Sequence, residues 1–294
     1  MSTARLPGVA QLRAFARAAG HLLIERQPRV SGSRAVSRRP GDGTQLHDHR
    51  DYLPGDEVRH IDWRMSARQR HAVIRRFESE AVSDWIVVLD ASSSMAMHGG
   101  ARWHAAVQAA AAMCYAPLQL GARVGLLVFG ERVQARCPLG RGQHHYAAIA
   151  GVLGSVDPAR RGVRSELGAC ARHLVERATV FVVSDFLADD EMRADLGLLA
   201  ARCTSLHALQ LSCGADAQLP PAGEVELLDV ETGEHRAARL DAAANAAAGA
   251  ERARMTARLR GWCRRSGIAF TDWDLSRPWQ QTLVQHLVRA RSHC

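Results

Sequence analysis

From about Asp84 onward the chain alternates short apolar runs with longer stretches in which apolar residues recur at helical spacing. Ile86–Leu89, Val124–Phe129, Val180–Val183, Ser205–Leu211 and Ile268–Trp273 are short and mostly aliphatic, the pattern of strands buried on both faces. Between them Arg102–Leu120, His144–Leu153, Glu166–Arg177, Glu191–Arg202, Glu251–Arg265 and Trp279–Arg291 predict helices, with Gly267 closing the fifth as its C-cap. The Gly130-Glu131 turn predicts that Val133–Cys137 folds back as a short edge strand. Thr232-Gly233 centres a hairpin within Val225–Leu240. Strands alternating with helices imply right-handed crossovers and a mostly parallel sheet, so the expected fold is α/β and doubly wound.

The pattern ahead of Asp84 is different. Val9–Glu25 places leucines, alanines and Phe15 at helical spacing. Arg26–Arg76 is rich in Gly, Ser and Pro, carries short β-like pieces such as His71–Phe77, and holds twelve arginines against six acids. That surplus of six is most of the chain's net +8. The expected organisation is an N-terminal helical segment over 1–27, a small Arg-rich β module over 28–83, and the α/β domain over 84–294 with a hairpin insertion near 212–247.

Composition narrows the chemistry. The 294 residues are 47% hydrophobic, an ordinary globular value, and no stretch approaches the roughly eighteen apolar residues of a membrane span. The expectation is a soluble, cytoplasmic protein with no membrane span. All 38 basic residues are arginine. With no lysine there is no P-loop lysine and no Schiff-base lysine, so P-loop nucleotide hydrolysis is excluded. Seven scattered cysteines without a Cys-x-x-Cys pair indicate neither a zinc site nor a disulfide framework. His47, His49, His144 and His145 lack partners at ligand spacing and read as surface residues.

One strand end does carry chemistry. Ile86-Val-Val-Leu-Asp-Ala-Ser-Ser-Ser-Met95 delivers the Asp90 carboxylate and the Ser92 and Ser94 hydroxyls beyond a buried strand, where open α/β sheets bind ligands. A lone carboxylate with two hydroxyls suits a small hard cation, Mg²⁺ or Mn²⁺, with about six oxygen ligands. Asp185 follows the strand Val180–Val183 and should emerge on the same edge, and Ser165 stands at the start of an expected helix. Ser92, Ser94 and Ser165 would then offer hydroxyls, with Asp90 and Asp185 binding directly or through water; serines at such positions also serve as helix caps. A dehalogenase-type phosphatase would need a second aspartate at position 92 and a lysine. Two-metal nucleases need several clustered carboxylates, and no Gly-x-Ser-x-Gly elbow occurs. The pattern reads as a binding site with no catalytic residues.

This constellation resembles the metal-ion-dependent adhesion site of von Willebrand factor A-type domains, in which an Asp-x-Ser-x-Ser loop, a threonine loop and an aspartate loop hold Mg²⁺ and a partner's acidic residue completes the shell. Ser165 stands where that family has threonine. The block His49-Arg-Asp-Tyr-Leu-Pro-Gly-Asp-Glu-Val-Arg-His-Ile-Asp-Trp63, continuing through Ser66-Ala67-Arg68 and Arg75-Arg76-Phe77-Glu78, resembles the signature of the bacterial domain-of-unknown-function 58 family. The tract Leu227–Glu234 matches that family's later region, and the likeness runs from about Pro28 onward. The resemblance implies a von Willebrand factor A-like sheet and partnership with a MoxR-type AAA+ ATPase as adaptor or co-chaperone, other A-type proteins being further partners. Within the signature, Arg59, Asp62, Trp63 and Arg68 mix charge with an aromatic ring and are expected either to knit the module to the A-type domain or to meet a partner. The rival reading is nucleic-acid binding through the Arg-rich module, motivated by the basic surplus. Interleaved acids and the lack of a nucleic-acid motif weigh against it.

Overall fold

A computed structural model describes residues 5–23, 45–52, 58, 61–69, 71–78, 84–158, 162–187, 190–214 and 223–291. The chain divides into two units, one made of residues 1–23 and 83–294 and the other of residues 24–82.

The larger unit is built on a six-stranded sheet. Numbering strands along the whole chain, its members are β3 (Trp85–Asp90), β4 (Val124–Phe129), β5 (Val133–Gly140), β6 (Thr179–Ser184), β7 (Ser205–Ser212) and β10 (Ala269–Asp274), in the order β10-β7-β6-β3-β4-β5. All pairs are parallel except β4 with β5, which returns antiparallel as the edge strand expected after the Gly130-Glu131 turn. β3, β4 and β6 are buried along their whole length, which is why they read as unbroken apolar runs.

Helices cover both faces. On one lie α1 (Val9–Leu23), α3 (Ala101–Gln119), α4 (Gly142–Ser155) and α7 (Trp279–Arg291), with α1 packed on α3 and α7. Phe15 of α1 meets Trp279 of α7 edge-on, ring centroids 5.5 Å apart. The run of alanines in α3 leaves little side-chain bulk, so the helix sits close to the sheet and is buried on nearly every side. On the other face Leu167, Cys170, Met192, Leu196, Leu259 and Cys263 pack against Ile86, Val88, Val180 and Val182. These come from α5 (Asp190–Ala200), α6 (Ala242–Arg265) and a short 3₁₀ segment, Leu167–His173.

Two elements differ from the reading of the sequence. Glu166–Arg177 is 3₁₀ over Leu167–His173 and extended by Leu174, not an α-helix. Its buried residues Leu167, Cys170, Ala171 and Leu174 stand at i, i+3, i+4 and i+7, a spacing that an α-helix would give as well. Gly168 lets the segment touch α5, where a Cβ would lie 2.5 Å from Asp195 Oδ1. Helix α6 begins nine residues earlier than the apolar pattern indicates. Asp241 caps it by accepting from Ala244 N at 2.7 Å, and its first turns are solvent-facing alanines that carry helix propensity but no periodicity. Its end matches expectation, with Gly267 at φ 68° and Ile268 N donating to Cys263 O.

Strands β8 (Gly223–Leu228) and β9 (His235–Leu240) form the expected hairpin, largely exposed. In the smaller unit β1 (Gln45–Asp51) pairs antiparallel with β2 (Val73–Glu78) through a bulge near Leu46 and Asp48, and α2 (Trp63–Gln69) lies between them in sequence. No helix among the described residues is long and apolar enough to cross a membrane.

Candidate metal centre

The chain winds away from β3 in both directions, to β4 and β5 on one side and to β6, β7 and β10 on the other. β3 and β6 are neighbours at the point where the winding reverses, and the loops beyond their carboxyl ends diverge into a crevice. Asp90 ends β3 and Asp185 follows β6, so both carboxylates stand at this switch point, 0% and 1% exposed.

Three loops meet around Asp90. Its Oδ1 accepts from Ser92 N at 2.8 Å, fixing the turn that follows the strand. Its Oδ2 accepts from Ser165 Oγ at 2.7 Å and from Ser184 Oγ at 2.6 Å. Ser92 Oγ and Ser94 Oγ lie 3.1 Å apart, each serine about 1% exposed or less. Ser93 points the other way and ties the loops together: its Oγ accepts from Val163 N and its N donates to Val163 O. Ser165 is no helix cap; the position ahead of the 3₁₀ segment is Glu166, and the Ser165 hydroxyl is committed to Asp90. Phe186 adopts a left-handed backbone (φ 48°), rare for a bulky residue, and its N–H donates to Ser184 Oγ at 3.0 Å. Such a turn costs about 1–3 kcal/mol and holds only where its surroundings enforce it.

Two further groups belong to the site and were not singled out from the sequence. Arg102, 1% exposed, donates from Nη1 to Asp185 Oδ2 at 2.6 Å and to Ser94 O at 2.9 Å. It lies in the first turn of α3, where a cation opposes the helix dipole, and that placement is the signal for a carboxylate partner. Burial raises the Asp185 carboxyl above its ordinary range; Arg102 pulls it back down and Asp90 pushes it further up. Glu231 arrives from the β8–β9 turn. The Ser94 hydroxyl is in hydrogen-bonding reach of both Asp185 and Glu231, and burial with the nearby Asp185 and Asp90 charges lifts the Glu231 carboxyl to about 7. Glu231 lies in the Leu227–Glu234 tract that resembles the family's later region, but nothing in that tract marks it as part of this site.

The donor set suits a hard divalent cation. Every candidate ligand is oxygen, and the Ser165–Asp90 and Ser92–Ser94 separations of 2.7 and 3.1 Å are close to the roughly 3 Å edge of an octahedron with bonds of about 2.1 Å. Among the described residues no three His, Cys, Asp or Glu side chains cluster as ligands, so any cation here would depend on the serine hydroxyls. His144 is exposed and His145 is bonded to Val124 O, both remote from the switch point in the fold.

Of the signature residues in the smaller unit, Asp62 caps α2 through Oδ1 to Arg64 N and Met65 N, both at 3.1 Å. Trp63 is 66% exposed and Arg68 is exposed. Arg59 lies outside the described residues.

Residues 48–258 match the family model described as "Protein of unknown function DUF58". The uncharacterized protein Rv1480 of Mycobacterium tuberculosis is 29% identical over 262 residues, covering 86% of this chain and 81% of its own. The uncharacterized protein YeaD of Bacillus subtilis is 28% identical over 154 residues, 50% of this chain and 36% of its own. Among solved structures, BatB from Bacteroides thetaiotaomicron aligns at 14% identity with a TM-score of 0.40, over 71% of this chain and 99% of that one. An aerotolerance-related membrane protein from Bacteroides fragilis aligns at 16% identity and a TM-score of 0.38, over 70% and 99%.

Proposed function

We propose that this chain, which belongs to the DUF58 family, is a non-enzymatic, Mg²⁺- or Mn²⁺-dependent protein-interaction module of the von Willebrand factor A type. In this reading it serves a MoxR-type AAA+ ATPase as adaptor or co-chaperone. The observation that carries the metal reading is the 2.7 Å contact between Ser165 Oγ and Asp90 Oδ2, which joins loops 75 residues apart into one oxygen cluster beside Ser92 and Ser94. Asp90, Ser92, Ser94 and Ser165 would hold the ion, with Asp185 acting directly or through water. When bound, the cation supplies a positive centre for an acidic side chain. The strand order supports the A-type assignment, since the Asp-x-Ser-x-Ser loop leaves the strand at which the winding reverses. The ATPase partnership rests on the family resemblance.

The reading predicts a chain that binds rather than catalyses. The site pairs the Asp90 and Asp185 carboxylates with serine hydroxyls, no histidine or cysteine stands beside them as base or nucleophile among the described residues, and Arg102 neutralises part of the charge. Calorimetric titration with Mg²⁺ and Mn²⁺ tests it: one site in the wild type, lost in Asp90→Ala and in Ser92→Ala while the circular dichroism spectrum is unchanged. Equal binding in wild type and both variants, or none in the wild type, overturns the metal reading. Loss of a purified MoxR-type ATPase from the immobilised chain on adding EDTA tests the partner, and retention unaffected by chelator overturns metal-dependent capture.

A further inference from the structure

The hairpin β8–β9 buries little of its own surface; nearly every residue of both strands is exposed or half-buried. An isolated two-stranded hairpin is marginal in water, so something else must hold it. β9 touches α6 at the hairpin's base, and a further contact lies at its tip. Val230 O accepts from Gly162 N at 2.9 Å, tying the turn to the loop that carries Ser165. Within the turn Asp229 Oδ1 accepts from Glu231 N at 2.9 Å and from Thr232 N at 3.2 Å, and Gly233 N donates to Asp229 O at 2.8 Å. Glu231 is thereby set with a fixed backbone. It is half-buried while Thr232, Gly233 and Glu234 beside it are exposed, and its carboxylate is in hydrogen-bonding reach of Ser94, the last hydroxyl of the Asp-x-Ser-x-Ser loop.

We propose that Glu231 is an in-chain ligand of the metal centre, taking from the chain's own hairpin the coordination position that a partner's acidic residue would otherwise occupy. The inference rests on the reading of Asp90 and its serines as a divalent cation site. It makes the site self-capped: with the hairpin docked, the cation is closed to outside carboxylates, and a partner must displace Glu231 to reach it. It also makes the hairpin metal-fastened. The surroundings favour a cation here, since Glu231 faces the like charges of Asp185 and Asp90.

The experiment uses the full chain with Mn²⁺ as probe, comparing wild type, Glu231→Gln, the hairpin control Glu234→Gln, and Asp90→Ala. Calorimetry reads affinity, and water-proton relaxation reads how many waters remain on the bound Mn²⁺. The expected result is that Glu231→Gln weakens binding about tenfold and adds one bound water. Sodium acetate, but not sodium chloride, then removes that water, and acetate has no effect on wild type or Glu234→Gln. Trypsin supplies a second measure, because Arg236 and Arg239 on β9 are exposed. Mn²⁺ should slow cleavage there in wild type and not in Glu231→Gln. If Glu231→Gln binds Mn²⁺ with wild-type affinity and hydration while Asp90→Ala abolishes binding, the Glu231 assignment fails and the metal site stands. If wild type binds no Mn²⁺, both fail together.

Discussion

Arg102 and Asp185, 83 residues apart, meet at 2.6 Å with each side chain 1% exposed. One begins the central helix α3 and the other follows the central strand β6, so the pair clasps the two elements at the floor of the oxygen cluster. A buried ion pair is poor evidence of net stability, but removing one partner strands the other charge out of water. Arg102→Met should therefore cost about 3–5 kcal/mol in urea denaturation. In an Asp185→Asn background the same change should cost much less, because no full charge is left behind. Equal costs in both backgrounds would show that the ion pair is not what holds Arg102.

The buried histidines give a pH signature. Ser205 Oγ, His207, His286 and Thr271 Oγ1 form a chain of contacts at 3.2, 2.9 and 2.9 Å. Burial lowers the His207 ring to about 4 and pushes His286 well below its ordinary value, both remaining neutral near pH 7. Above about pH 6.5 neither folded nor unfolded chain protonates them, and they contribute no slope. As pH falls from 6.5 toward 4 the unfolded chain takes up protons that the folded chain refuses, so stability is lost, by up to about 1.4 kcal/mol per pH unit for each ring. Asp185 and Glu231, raised by burial, oppose this trend, so the contrast must be taken against His207→Asn. The stability advantage of wild type over that variant should shrink as urea titrations move from pH 7 to pH 4.5. A constant difference would mean that the His207 ring takes up its proton as readily in the folded chain as in the unfolded one.

Ser165 probes the centre from outside the Asp-x-Ser-x-Ser loop, and its hydroxyl caps no helix. Ser165→Ala should weaken Mn²⁺ about tenfold in calorimetry, in the range for loss of a supporting metal-site group. Ser165→Thr, which keeps the hydroxyl, should stay within about threefold of wild type. Identical affinity in all three proteins would remove Ser165 from the shell.

Much of this was legible in the residues. The strands around the switch point declared themselves because burial on both faces forces continuous apolar runs, and Asp90 and Asp185 are conspicuous at their ends. The segment after Ser165 misled because leucine and cysteine at a spacing of three to four fit both an α-helix and the tighter turn it adopts, and the deciding contact, Gly168 against Asp195, comes from another element. Glu231 was hidden for a related reason. Its role follows from where a hairpin tip docks, through a backbone bond from Gly162 to Val230, and backbone bonds leave no trace in side-chain pattern.

That contact at Gly168 also yields a stability test. Gly168 N donates to Asp195 Oδ2 at 2.7 Å, and an added methyl would collide with the same carboxylate. Gly168→Ala should destabilise by about 1–3 kcal/mol in urea, and most of that cost should vanish when Asp195 is also Ala. Additive costs would place the strain elsewhere.

Helix α1 is separated from the rest of its unit by residues 24–82, and it packs against the chain's last helix, Phe15 on Trp279. On the ribosome Leu12, Phe15, Ala19 and Leu23 are therefore made well before their partner helices, α3 and then α7. At synthesis rates of about 5–20 residues per second, that apolar stripe waits roughly ten to fifty seconds for α7 to emerge. The architecture thus leaves an apolar stripe uncovered on the nascent chain until its partner helices have been made.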